Sequence, residues 1–327
     1  MDAVKRVYRF LSSMKTGLTL LVLVGLVSVL GSAFLPDTFF DTLLFKLLLI
    51  FLLINMLLCT TNRLVLFKSG FHIKIKRGWP KHVGGLLLHI GIVLILAGLI
   101  MNTYYGQSGH IRIQTGDIVD VSNTITMKKP FSLQLDEFKM EFYEDGSPSQ
   151  YYSYVTVLEN NETVKRAVIS VNHPLKYNGV KLYQQSYGHL VKVKHVDAAG
   201  NEVEDLIDEG DILKLQGTKR FIKVYRYLPN FDPAQGMTSQ TMRPDNPRIV
   251  FSVYENDNVL GVGTAEFGER LKIDDGVYVV FSGVEPFTVL KAKSDPGLPL
   301  AASGGLVFII GVSLALLAAP NRRKSTC

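Results

Sequence analysis

The chain has 327 residues, 47% of them hydrophobic, and a formal charge of +6. That apolar share, beside long stretches of strand-like alternation, excludes an ordinary soluble domain and points to a membrane protein with a sizeable water-exposed part. Residues 1–15, 61–82 and 320–327 hold 13 Lys/Arg and one acid, leaving 22 basic and 28 acidic residues elsewhere; such a distribution orients a chain in a bilayer and argues against nucleic acid as a partner.

The N-terminal 15 residues are basic, with Lys5, Arg6, Arg9 and Lys15, and Thr16–Leu35 is the first expected span. Gly31-Ser32-Ala33 has the small residues of a signal-peptide cleavage site. The apolar run is longer than a signal core and more spans follow, so an uncleaved anchor is expected. Pro36–Asp41 reads as a short acidic outer turn.

Leu43–Thr60 is the second span, with Lys46 near its outer end, where its long stem can reach the headgroups. The loop 61–82 carries Arg63, Lys68, Lys74, Lys76, Arg77 and Lys81 and no acid, the strongest inner-side marker in the chain. His72 and His82 flank this loop and read as solvated or interfacial histidines, and Trp79-Pro80 suits an interfacial helix entry.

The third span, residues 83–101, has no Asp, Glu, Lys or Arg, yet it contains His89. Gly84, Gly91 and Gly98 recur every seven residues, a stripe on which another helix can approach closely. At about 100° per residue, His89 lies roughly 140–200° around the helix from that stripe. An imidazole at membrane depth has two readings: hydrogen bonding to a neighbouring helix with no chemistry, or a ligand or proton-relay role.

Residues 102–298 alternate in short runs: His110–Gln114, Phe131–Tyr143, Gln150–Glu159, Val164–Val171, Val180–Tyr187, Leu190–Val196, Arg220–Tyr227, Arg248–Tyr254, Gly276–Val284 and Phe287–Lys293. Turn signals such as Asn160-Asn161, Asn178-Gly179 and Asn256-Asp257-Asn258 separate them. One β-rich domain of about 10–12 strands, a sandwich or open barrel outside the membrane, is expected. Phe231–Pro247 is its longest strand-poor stretch and is expected as a mobile loop. His189 and His195 can share a strand face but lie about 20 Å apart, too far to share a metal, and read as surface histidines. No nucleophile elbow, phosphate-binding glycine loop or paired-carboxylate signature is present.

Pro299–Ala319 is the fourth span, followed by Asn321-Arg322-Arg323-Lys324. Four spans place both termini inside, and every basic cluster agrees. The expected fold is thus α+β: a membrane domain of three helices over 1–101, an extracytoplasmic β-rich domain over 102–298, and a final helix with a basic tail over 299–327. Cys59 and Cys327, the two cysteines, both fall on the inner side. The outer domain therefore has neither a disulfide nor a dithiol, which argues against a thiol-disulfide enzyme.

An ordered set of phrases is more specific than any of these patterns. Ser13-Met14-Lys15 leads to Ser28-Val29-Leu30-Gly31 and Pro36, and Asn55-Met56-Leu57-Leu58-Cys59-Thr60-Thr61-Asn62-Arg63 closes the second span. Gly85-Leu86-Leu87-Leu88-His89-Ile90-Gly91 follows, then Ala97-Gly98. Next come Val171-Asn172-His173-Pro174-Leu175-Lys176-Tyr177-Asn178-Gly179 and Tyr183-Gln184-Gln185-Ser186-Tyr187-Gly188, and last Asp295-Pro296-Gly297. From about residue 10 to 324 the chain resembles the ResB/CcsB family of System II cytochrome c biogenesis, in a compact version. The resemblance implies a bacterial inner-membrane protein working with a tryptophan-rich ResC/CcsA-like membrane partner. Together the two move haem b outward and present it to apocytochrome c for covalent attachment. It implies that His89 is an axial ligand to the haem iron, and that the chain is a non-catalytic or co-catalytic subunit of a holocytochrome c synthase. A family cysteine falls on Cys59, where no second thiol is near and structural burial is expected. The rival reading is a membrane-anchored β-domain adaptor that recruits outer partners without binding haem.

Overall fold

The computed structural model describes residues 2–35, 39–40, 42–71, 79–196, 200–256 and 258–317. His72, most of the acidic turn 36–41 and the tail with Asn321–Lys324 and Cys327 lie outside the described residues. The chain divides into a helical unit, made of residues up to Gly106 together with those from Asp295 on, and a β unit, Gln107–Ser294.

In the helical unit, the basic N-terminal segment is itself a helix, α1 (Asp2–Leu11), ahead of α2 (Met14–Phe34), α3 (Leu43–Phe71), α4 (Trp79–Tyr105) and α5 (Leu298–Leu317). Val4, Val7 and Phe10 are exposed on α1 beside Lys5, Arg6 and Arg9, the composition of a helix that lies at a bilayer surface. Segments of α2, α3, α4 and α5 are each long and apolar enough to cross a membrane: Met14–Phe34, Leu43–Val65, His82–Tyr105 and Leu298–Leu317.

Glycine decides how α4 and α5 meet. A Cβ on Gly84, Gly91 or Gly98 would strike backbone atoms at Gly311/Ala315, Gly304/Phe308 and Gly297/Ala301 respectively. The facing glycines 297, 304 and 311 also recur every seven residues, so two stripes interlock antiparallel. The stripe read in the third span is therefore a helix–helix contact, and the fourth span supplies its partner. At one end Asn102 Nδ2 donates to Asp295 Oδ1 at 3.4 Å.

Among the described residues, fourteen strands, β1 to β14, make up the β unit, in three open sheets. Its spine is an antiparallel pair of long strands, β7 (Val180–Val196) and β14 (Val277–Ser294). β1 (Gln107–Gln114) and β13 (Arg270–Asp274) flank opposite ends of β14, while β6 (Leu175–Tyr177) and β8 (Glu202–Asp208) flank opposite ends of β7. Between those ends the sheet narrows to the two spine strands. A sheet of β2 (Ile118–Asp120), β3 (Ser132–Phe142), β4 (Pro148–Glu159) and β5 (Glu162–Ser170) covers one half of the spine. A second sheet of β9 (Ile212–Lys214), β10 (Arg220–Leu228), β11 (Arg248–Glu255) and β12 (Asn258–Ala265) covers the other.

Each half encloses its own core: Ile113, Leu133, Val157 and Leu182 in one, Val193, Ile222, Ile249 and Phe281 in the other. The result is two sandwiches sharing one spine. Side chains from β1, β8 and β14 meet at the narrowing. Arg112 forks onto both carboxylate oxygens of Asp208, at 3.0 and 2.5 Å, and its guanidinium stacks 3.7 Å from the Phe287 ring centre.

The turn chemistry matches the alternation. Asn160, Asn161, Asn178, Gly179 and Asn256 all have φ between 44° and 81°, the left-handed backbone that tight hairpins require. The spine departs from expectation, because Val180–Tyr187 with Leu190–Val196, and Gly276–Val284 with Phe287–Lys293, form one strand each. Gly188 and Pro286 read as breaks in the sequence, yet both are tolerated for physical reasons. Gly188 leaves room for the Phe287 ring opposite it. Pro286 lies where β14 has a neighbour on one side only, so its missing N–H disrupts no second ladder. The strand-poor stretch Phe231–Pro247 contains a 3₁₀ turn at Pro233–Gln235 and is cross-tied by Asn230, Ser239, Thr241 and Asn246.

Candidate functional site

The quoted phrases acquire different roles in the structure. Asn55, Cys59 and Asn62 recur at i, i+4 and i+7 on α3, and all three face the N-terminal segment. Asn55 is fully buried; its Nδ2 donates to the carbonyl of Leu11 at the end of α1 (2.5 Å) and to that of Ser13 (3.2 Å), the N-cap of α2, which also accepts from Gly17 N–H. Cys59 Sγ donates to the Ser12 carbonyl at 3.3 Å, and Tyr8 Oη donates to Asn62 Oδ1 at 2.7 Å. Gly17 admits the Asn55 amide, which a Cβ there would strike. Cys59 is thus a half-buried packing and hydrogen-bonding residue that clamps the α1–α2 joint.

Two outer phrases are likewise architectural. Asn172 takes a left-handed backbone (φ 67°) in the turn where Ser170 bridges His173. Gln184 belongs to a network with Ser153 and Thr288, both fully buried, at 2.7–3.1 Å. Such a network fixes register between facing sheets.

His89 remains. α4 begins at Trp79-Pro80, where a proline costs no helical hydrogen bond, and continues through an unbroken apolar run. His89 Nδ1 lies 2.8 Å from the Gly85 carbonyl one turn earlier. A carbonyl only accepts, so Nδ1 carries the proton, and in the neutral ring Nε2 keeps its lone pair. That tautomer is the one in which an imidazole offers Nε2 to a metal while its other nitrogen is held by the backbone. The imidazole is half-buried. A second group closes on this turn: the Arg63 guanidinium, from α3, packs so closely on Gly85 that a Cβ there would strike it. The spacing of His89 in the sequence showed the imidazole; nothing local showed that Arg63 meets it, because the two are on different helices.

The histidines of the β unit correct an expectation. His189 and His195 do share a strand face, but it is the inward one, in row with the core residues Val191 and Val193 while Lys192 and Lys194 point outward. His195 is 8% exposed and its Nε2 lies 2.7 Å from Asp205 Oδ2. His189 lines a pocket of about 460 Å³ at the narrowing between the sandwiches, with Phe138, Met140, Tyr227, Met242 and Phe267 among its walls. Burial pushes the His189 pKa down to about 4, so its ring is neutral. Burial likewise pushes the Tyr227 phenol, 4.8 Å away ring to ring, up to about 12. The signal that reveals both is the Val-Lys-Val-Lys alternation between them. No group of three or more His, Cys, Asp or Glu able to hold a metal occurs among the described residues.

Taken together, the chain joins a unit of long apolar helices to a β unit, and one of those helices carries a half-buried imidazole held through Nδ1. The ResB-like family model matches residues 68–323, and the chain belongs to that family. Cytochrome c biogenesis protein CcsB of a Picosynechococcus species is 24% identical over 261 residues, covering 78% of this chain and 54% of that protein. Cytochrome c biogenesis protein Ccs1 of Porphyra purpurea is 23% identical over 265 residues, covering 77% and 56%. The chain spans about half the length of these curated relatives. Among solved structures, the cytochrome c haem lyase CcmF aligns with 93% of this chain and 35% of its own at 10% identity, with a TM-score of 0.34, too slight a likeness to build on.

Proposed function

We propose that this chain is the haem-handling subunit of a cytochrome c maturation complex in the bacterial cytoplasmic membrane. Its four apolar helices cross the bilayer with both termini inside, and the β unit stands on the outer side. His89 is an axial ligand to haem b, which is cargo moved outward and presented to apocytochrome c. The observation that carries this reading is the His89 tautomer: Nδ1 is committed to the Gly85 carbonyl, and Nε2 is left with a lone pair on an otherwise apolar helix. The names of the curated relatives, all cytochrome c biogenesis proteins, support the process.

The division of labour follows from coordination chemistry. Bis-histidine iron needs two imidazoles, and His89 is the one within the interior of this chain's apolar spans, His82 standing at the first residue of the third. The second must come from a partner, for which the ResC/CcsA-like protein is the candidate. His89 lies only about 9 Å along the helix from Val83, which places it in the inner half of the bilayer, where cytoplasmic haem would enter. The backbone-held ring orients Nε2 before haem arrives, so little side-chain entropy is lost on ligation.

The test is the optical spectrum of the complex purified with its partner. His89→Ala should lower bound haem and halt cytochrome c maturation at unchanged protein level, and added imidazole should partly restore both. An unchanged spectrum with normal maturation would make His89 a packing residue and leave the adaptor reading.

A further inference from the structure

We propose that Arg63 is the carboxylate-binding group of the His89 site, pairing with a propionate of the haem that His89 ligates. The inference rests on the reading of His89 as a haem ligand and adds a second recognition group from another helix.

Three observations converge on Arg63. Its guanidinium folds onto α4 at Gly85, with Nη1 in the path of any side chain at that position. Gly85 is also the residue whose carbonyl holds His89 Nδ1. The bare backbone at residue 85 thus admits the cation and sets the tautomer of the imidazole one turn away. Moreover, Arg63 forms no salt bridge to a carboxylate among the described residues, and the sequence has no Asp or Glu between Asp41 and Asp117. The side chain is exposed, so its donors are open to a ligand.

Haem presents the complementary chemistry. Iron at the centre takes the imidazole nitrogen, and two carboxylates leave one edge of the ring. A cation displaced one turn, about 6 Å along the helix from the ligand, meets that edge and not the face. A planar guanidinium binds a carboxylate through two parallel N–H donors, which orients the ring as well as holding it. The propionate edge then faces the inner end of α4, where Gly85 precedes His89. A lipid headgroup phosphate is the competing source of negative charge for an arginine at this depth.

The experiment titrates the full chain, co-purified with its partner and stripped of haem, with haem and with haem dimethyl ester, whose propionates carry no charge. Wild type should prefer the free acid. Arg63→Ala should weaken haem binding about tenfold, the low end for a charged hydrogen bond, and leave ester binding unchanged. Arg63→Lys should fall between, because it keeps the charge but loses the fork. Gly85→Ala, which displaces the guanidinium, should reduce the same preference. Equal weakening of both ligands in Arg63→Ala, or an unchanged preference, overturns the proposal. So does a wild-type preference that appears only in nanodiscs without anionic lipid, which assigns Arg63 to a headgroup. If His89→Ala leaves the haem spectrum intact, the ligand reading itself fails; if His89→Ala abolishes it while Arg63→Ala retains the preference, only the role of Arg63 fails.

Discussion

Replacing Gly91 by alanine, with Gly305 as the matched control, isolates the energy of the α4–α5 contact. A Cβ on Gly91 would lie 2.7 Å from Phe308 N, 2.8 Å from Gly304 O and 2.8 Å from Phe308 Cα, whereas one on Gly305 meets nothing within 4 Å. All three atoms at Gly91 are backbone, so no rotamer can relieve them. Ordinary contact begins near 3.4 Å, so against the 2.7 Å found the helices must part by about 0.7 Å. Overpacking of this kind costs about 1–3 kcal/mol. The intrinsic helix gain of alanine over glycine is shared by both variants and cancels in their difference. The assay is the apparent Tm of the detergent-purified chain and its accumulation in membranes. Gly305→Ala should match or exceed wild type, Gly91→Ala should melt lower, and Gly91→Leu should fail to accumulate. Equal melting of the two alanine variants would refute the interlocked stripe.

The pH dependence of the β unit provides an independent check. His189 falls from the ordinary 6.5 to about 4 in the fold, so the unfolded chain binds the extra proton between those values and stability drops as pH falls through them. Between pH 7.5 and 4.5 the loss is about 2–3 kcal/mol, and His189→Gln should remove that component from melting curves; an identical pH response in the variant would refute it. For topology, an impermeant thiol reagent applied from outside should label neither Cys59 nor Cys327 in intact cells, and labelling of Cys327 would overturn the four-span arrangement.

Local chemistry accounts for what was legible in the chain alone. Apolar run length marked the spans, Asn-Gly and Asn-Asn pairs marked the hairpins, and the seven-residue glycine period marked a contact face on α4. His89 stood out because a lone imidazole in an uncharged run needs no neighbour to be noticed. The short strands β2, β6, β9 and β13, of three to five residues, were missed because so few residues show no period, and the longer β8 and β12 because they are mostly exposed and lack a regular apolar face. Pairing across long separations belonged to the tertiary structure. Residues 84 and 311 meet only when α5 returns antiparallel to α4, although both stripes are visible by themselves. Gly188 and Pro286 read as strand breaks until each is seen opposite its partner, one giving room to an aromatic ring and one lying where the sheet is two strands wide. The approach of Arg63 to the His89 turn is of the same kind: a contact between helices is set by packing, which no local pattern encodes.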